Sequence, residues 1–174
     1  MKSNIVLIGM AASGKSTTGV VLAKTIQKNF IDTDLLIQQK TGKSLQQILD
    51  EEGIEAFKKI ETEILCRVGA RNAVISTGGS AVYYPEAMEA LGKDGIIVYL
   101  NVPLAEIERR LKNIKTRGVI LEEGQTIGDL YHQRKPLYEK YADIVINGGE
   151  AGIERTVEGI CSAIDFRPDG LDVR

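Results

Sequence analysis

Cysteine is scarce in this chain of 174 residues: Cys66 and Cys161 are the only two. They are too few and too widely separated for a disulfide framework. Cys161 falls on the apolar stripe Ile153, Val157, Ile160, Ile164, which predicts a buried, inert thiol. Cys66 has no neighbour that suggests chemistry. Histidine is scarcer still, since the single His132 has no obvious carboxylate partner in sequence and receives no role. A charge of one sign is also lacking. The chain sets 22 basic residues against 24 acidic ones, for a net charge of −2. That balance gives no reason to expect nucleic acid or a membrane surface as partner. No apolar run approaches membrane-spanning length. The first strand begins too near the N-terminus to leave room for a cleavable signal, so a cytoplasmic protein is expected. Repeats, low-complexity tracts and linkers are missing, and the length fits one domain over residues 1–174.

What is present begins with Gly9-Met10-Ala11-Ala12-Ser13-Gly14-Lys15-Ser16, followed by Thr17. These residues satisfy G-x-x-x-x-G-K-[ST] at every fixed position. The run Asn4-Ile5-Val6-Leu7-Ile8 before them reads as a buried parallel strand, and Val20 to Ile26 after them as a helix. In that context the motif predicts a phosphate cradle. Backbone N–H groups turn into one concavity, Lys15 adds a mobile charge, and the Ser16 hydroxyl is suited to Mg²⁺.

Further strands are predicted at Asn29–Ile31, Ala73–Ser76, Gly95–Leu100 and Ile144–Ile146, alternating with helical periods. Ser44-Leu45-Gln46-Gln47 has capping-box form, and Gly53 punctuates the helical stretch that follows. Pro136 is expected to bend or restart the stretch from Ile127 to Tyr141. Residues 113–125 carry no clean period and are read as a mobile loop, and the tail from Arg167 as frayed. Alternating strands and helices predict a parallel sheet covered on both faces. Its ligands sit outside the carboxyl ends of the strands. The cradle, the pair Asp32/Asp34 and the loop Gly78-Gly79-Ser80 all fall at such ends.

Several of these residues carry two readings. Asp32 and Asp34 form either a helix N-cap with a first-turn acid, or a metal ligand and a proton acceptor on opposite faces of an extended segment. Gly78-Gly79 is a plain turn or a backbone bared to a substrate. Arg134 lies within the apolar stripe 127, 131, 134, 138, 141, so it needs an anion, either an internal carboxylate or a bound one. Arg117 is a solvated charge or a lid arginine.

Taken together, the motifs Gly9–Thr17, Phe30-Ile-Asp-Thr-Asp34, Thr41-Gly-Lys-Ser44, Phe57-Lys58 before Glu61, Ser76-Thr-Gly-Gly79 and Arg134-Lys-Pro-Leu-Tyr138 resemble the shikimate kinase family. The resemblance runs from about Asn4 to Ile164. It implies a three-layer α/β P-loop fold with a five-stranded parallel sheet in nucleoside-monophosphate-kinase order and a lid over about residues 113–125. It also implies transfer of the ATP γ-phosphate to the 3-hydroxyl of shikimate, with ATP and Mg²⁺ required; a monomer is expected. By resemblance, Ala12, Ser13, Gly14, Lys15, Ser16, Thr17 and Arg110 serve ATP, and Arg117 is the lid arginine. Ser16 and Asp32 serve the metal. Asp34 binds the acceptor and takes its proton, while Gly78, Gly79 and Ser80 line its site and Arg134 clamps its carboxylate.

Three departures bear on the acceptor and the lid. Lys58 stands where the family has arginine as the second carboxylate clamp, and Ser80 stands where it has a third glycine. The lid reads Arg117-Gly118-Val119-Ile120 rather than Arg-Pro-Leu-Leu. Two other readings follow: a relative acting on another small polyhydroxy acid or polyol, and an ATP-binding switch without catalysis. Asp34 and Arg134 speak against the switch, which needs no acceptor pocket.

Overall fold

The computed structural model describes residues 2–112, 119, 121, 124–149 and 152–165. Among them five strands pair in parallel. They are β1 (Asn4–Ile8), β2 (Asn29–Asp32), β3 (Ala73–Ser76), β4 (Gly95–Asn101) and β5 (Ile144–Asn147). The spatial order β2-β3-β1-β4-β5 puts the strand that feeds the phosphate cradle at the centre.

Central position explains the composition of β1, which is buried along its whole length. Ile5 and Leu7 face one side, against Leu22 and Ala23 of α1 (Lys15–Thr25) and Val157 and Ile160 of α7 (Gly152–Ala163). Val6 and Ile8 face the other, where Met88 of α4 (Pro85–Asp94) and Leu130 and Tyr138 of α6 (Ile127–Tyr141) close the core. The period of two divides one strand between two helical layers. Asn4 is the polar exception, and both ends of its amide are satisfied: Nδ2 donates to the Ala70 carbonyl at 2.7 Å and Oδ1 accepts from the Ala73 N–H at 3.0 Å. At the edge, β5 alternates, and Val145 is exposed. Cys161 packs at the margin of the first layer and Cys66 is exposed; both are free thiols.

A smaller cluster, Ile37, Ile48, Phe57 and Ile64, joins α2 (Thr33–Thr41) to α3 (Leu45–Arg67) beside the sheet. Helix α2 corrects the extended reading of Asp32–Asp34. The strand stops at Asp32, whose side chain caps a helix that runs from Thr33 to a left-handed Gly42. Only Thr33 and Ile37 of that helix are buried, too thin a stripe to reveal a period. The capping box at Ser44 and Gln47 forms, and Gly53 breaks α3 with φ 84° and ψ 173°.

Pro136 neither ends nor restarts α6. Pro136 and His132, whose carbonyl the proline ring deprives of its bond, are both exposed. At an exposed position the released carbonyl can be hydrated, which lowers the cost of the proline. Helix α5 (Leu104–Lys112) precedes the stretch read as a lid, most of which lies outside the described residues, as does the tail. Among the described residues no helix is long and apolar enough to cross a membrane.

Candidate functional site

The carboxyl ends of β1, β2 and β3 open into a cavity of about 800 Å³. Its wall contains Ala12, Gly14, Lys15 and Ser16 from the first loop, and Asp32 and Asp34 from the second strand end. Gly78, Gly79 and Ser80 come from the third, and Arg134 from α6. A second hollow of about 260 Å³ adjoins it across Ala12, Gly14 and Ser16, and takes in Ser13, Thr17 and Arg110.

The cradle is made by backbone that L-residues rarely adopt, with Ala12 at φ 61° and Gly14 at φ 91°. Gly14 caps α1 without a side-chain bond, so the first N–H groups of the helix remain directed at the cavity mouth. Lys15 is 7% exposed. Its Nζ donates to the Gly9 and Met10 carbonyls, each at 2.8 Å, which holds the ammonium against its own loop.

Asp32 joins the two readings given for it. One carboxylate oxygen, Oδ1, accepts the Asp34 N–H at 3.0 Å as a helix cap, and the other, Oδ2, accepts the Ser16 hydroxyl at 2.6 Å. Ser76 Oγ stands 3.4 Å from Ser16 Oγ. Asp34 occupies the first turn of α2 and borders the cavity. The two acids are thus separated by a helix turn rather than by alternation along a strand.

The diglycine after β3 is crowded by charged side chains. A Cβ on Gly78 would stand 2.6 Å from Glu61 Oε1 and 3.1 Å from Asp34 Oδ1, and one on Gly79 would stand 2.9 Å from Arg134 Nη1. Two carboxylates and a guanidinium therefore close around bare backbone. Glu61 is 1% exposed. Ser80 Oγ donates to both its oxygens, at 2.8 and 2.7 Å, and Tyr84 Oη donates to Oε2 at 2.9 Å. Burial raises the Glu61 pKa; the two hydroxyls oppose that rise, Asp34 adds to it and Arg134 subtracts from it. Burial likewise raises the Tyr84 pKa, and the charge of Glu61 adds to the effect.

Arg134 is 5% exposed. Among the described residues no carboxylate lies within ion-pair distance of it. Instead its Nε donates to Tyr83 Oη at 3.3 Å, and its Cζ lies 5.2 Å from the centre of the Tyr83 ring. Between an internal carboxylate and a bound anion, this favours the bound one. Tyr138, fully buried, donates to the Gly79 carbonyl at 2.7 Å and stacks on Tyr99.

In the second hollow, Arg110 donates to the Ala12 carbonyl and to the Gly149 carbonyl, both at 3.1 Å, and pairs with Glu106 at 2.6 Å. It ties the cradle to the loop after β5. Arg117 lies outside the described residues. Lys58, expected at the acceptor carboxylate, is not brought to the cavity: it is exposed on α3 and pairs with Glu55 at 2.9 Å. It lies beside the buried Phe57 rather than on the inward face.

Sequence reasoning missed Glu61, Tyr83, Tyr84 and Tyr138 as parts of the site. Glu61 had a readable signal. It interrupts the stripe 57, 61, 64, 68 much as Arg134 interrupts its own. The tyrosines had none, because their hydroxyls matter only once the turn after β3 meets α3 and α6.

Among the described residues the arrangement offers a phosphate cradle, a hydroxyl–carboxylate pair of hard oxygens, and beside them a cavity wall carrying Arg134, Asp34 and Glu61. Among the described residues there is no cluster of three metal-ligating His, Cys, Asp or Glu side chains. The shikimate kinase family model matches residues 11–165. A shikimate kinase of Nitrosomonas europaea is 38% identical over 159 residues, covering 89% of this chain and 75% of the relative. One from Francisella tularensis subsp. novicida is 36% identical over 161 residues, 90% of this chain and 92% of the relative. Among solved structures, the shikimate kinase from Acinetobacter baumannii in complex with shikimate superposes with a TM-score of 0.87 at 32% identity, over 93% of this chain and 92% of the other.

Proposed function

Because the chain belongs to the shikimate kinase family, we propose that it transfers the γ-phosphoryl group of ATP to the 3-hydroxyl of shikimate. The observation that carries this reading is Arg134, a buried guanidinium without a carboxylate partner among the described residues, facing the same cavity as Asp34 and Lys15. An acid bearing several hydroxyls satisfies that chamber. Its carboxylate accepts from Arg134 through parallel N–H bonds, and its hydroxyls donate to Asp34 and Glu61.

As the 3-hydroxyl oxygen bonds to the γ-phosphorus, the bond from that phosphorus to the bridging oxygen of ADP breaks, and the hydroxyl proton passes to Asp34. Lys15 leaves the Gly9 and Met10 carbonyls for phosphate oxygens, where charge develops. Mg²⁺ suits the Ser16 hydroxyl and Asp32 carboxylate, hard oxygen donors at the cradle mouth, and when bound it neutralises phosphate charge. Ser13, Thr17 and Arg110 line the nucleoside side, and Arg117 is assigned to the lid. We further assign a cytoplasmic monomer; the near-balanced charge supports the absence of nucleic acid and membrane from its partners.

Coupled ADP release with and without shikimate tests the proposal. Shikimate-dependent release is expected. Release that responds only to another polyhydroxy acid or polyol moves the acceptor. ATP binding with no acceptor-dependent release under any of these conditions leaves a nucleotide switch.

A further inference from the structure

Glu61 and Arg134 present a puzzle that the reaction alone does not explain. They are a carboxyl group and a guanidinium, both at least nine-tenths buried and attached to one pocket, and the nearby guanidinium opposes the burial that raises the Glu61 pKa. Opposite charges in a poorly hydrated space attract strongly, and joined they would cancel. Yet they are not paired: Glu61 Oε1 lies against Gly78 and Arg134 Nη1 against Gly79, neighbouring positions on one loop.

Both are contacted by a single short turn. Ser80 and Tyr84 take the Glu61 carboxylate from the side of the 3-10 turn Ala81–Tyr83, with three contacts between 2.7 and 2.9 Å. Tyr83, from the same turn, takes the guanidinium with its ring and its hydroxyl. Hydroxyl donors to a carboxylate and an aromatic face under a guanidinium both stabilise the charged form without neutralising it.

We propose that the turn Ser80–Tyr84 is a positioning element that keeps Glu61 and Arg134 from pairing with each other, and so keeps Arg134 available for the carboxylate of the acceptor. The proposal rests on the acceptor assignment made above. It accounts for Ser80 physically: a glycine there has no hydroxyl to give to Glu61. It also fits Lys58, which is exposed and paired with Glu55, so that among the described residues Arg134 is the arginine that borders this cavity.

The test compares wild type with Tyr84→Phe, which keeps the ring, with Ser80→Ala, and with the double variant. Acceptor KM, ATP KM and Tm are measured for each, and the double variant is crystallised. Loss of one charge-assisted hydroxyl contact is expected to raise the shikimate KM about tenfold, with ATP KM within about twofold. In the double variant the shikimate KM rises further and Glu61 contacts Arg134 in the crystal. A purely structural role predicts the opposite division: lowered Tm with an unchanged shikimate KM. That result overturns the proposal, as does a double variant in which Glu61 and Arg134 remain apart. A wild type inactive toward shikimate overturns the function instead. The crystal contact still decides whether the turn separates the pair, so the two failures are told apart.

Discussion

Gly78→Ala tests how firmly the chamber is held. Gly78 does not adopt a positive φ, so its backbone accepts alanine and only space is at issue. The new methyl carbon would stand 2.6 Å from Glu61 Oε1, where an ordinary carbon–oxygen contact is about 3.3 Å or more. One of them must give by roughly 0.7 Å. The end of a glutamate side chain usually yields at little cost. Here it is pinned by Ser80 and Tyr84 at 2.7 to 2.9 Å, so the same shift stretches its bonds past useful length.

Losing one charge-assisted bond at a buried carboxylate costs about 1.5–3 kcal/mol. The lower entropy of unfolded alanine returns only about 0.4–1 kcal/mol, so the net change is destabilising. For a chain of this size the bond loss alone corresponds to a Tm lowered by roughly 3–12 °C, and the entropic gain trims that range. The methyl also crowds Asp34 Oδ1 at 3.1 Å, so the shikimate KM should rise in the same variant. Thermal melts and a shikimate titration at saturating ATP read both effects. Adding Tyr84→Phe should cost less than the sum of the two single changes, because the pin is then already loosened. A Gly78→Ala protein with wild-type Tm and wild-type KM would refute the account of Glu61 as a fixed group.

Lys15→Ala is expected to lower turnover at least ~100-fold while leaving a folded protein, as circular dichroism and ADP release would report; near-normal turnover in a folded variant would contradict the cradle. Asp34→Asn should bind ATP and lose turnover, because an amide takes no proton, and single-turnover measurement checks it. Glu61→Gln should gain stability over wild type as pH rises. The folded Glu61 pKa is raised, chiefly by burial, so the native state binds the proton more tightly than the unfolded chain. Wild-type stability therefore falls as pH climbs from the ordinary glutamate value toward the raised one, and glutamine escapes that loss. Paired melts from acid to neutral pH should diverge; parallel curves would contradict the sign. Lys58→Ala should change the shikimate KM by less than about twofold, since its exposed partner is Glu55 and such pairs contribute little; a larger rise in a shikimate titration would return Lys58 to the acceptor.

The strands were legible because their burial is one-dimensional. Asn4–Ile8 and Gly95–Leu100 are apolar on both faces, and a parallel sheet is what buries both. Arg134 was legible as an inward charge because its stripe is otherwise apolar. Helix α2 was not, since it buries two residues and rests on a cap whose acid also bonds to Ser16. The misreading of Asp34 followed from that: its residue type suggested a role, but its direction depends on a helix that no period announced. Pro136 was read as a bend or a restart, and it is not a restart: α6 runs through it from Ile127 to Tyr141, since the cost of an interior proline depends on the surface around the released carbonyl. Lys58 failed for a related reason. Its neighbour Phe57 lies on the inward face, and one step along a helix turns a side chain by about 100°.

The six tyrosines, with no tryptophan in the chain, have a spectroscopic consequence. Tyr99, Tyr131 and Tyr138 belong to the core on the α4/α6 side of the sheet, and Tyr84 and Tyr141 pack against it. Tyr83 lies on Arg134 of α6. None joins the core between the sheet and α1 and α7. Tyrosine absorption and emission therefore originate in one half of the molecule, the half on which Arg134 and Glu61 lie. Tyr84 has a carboxylate at hydrogen-bond distance, a strong quencher geometry that any movement of Glu61 would alter, while Tyr83 reports the guanidinium. The protein thus carries an unlabelled tyrosine gauge of the side that holds Glu61 and Arg134, and the opposite layer contributes none of that signal.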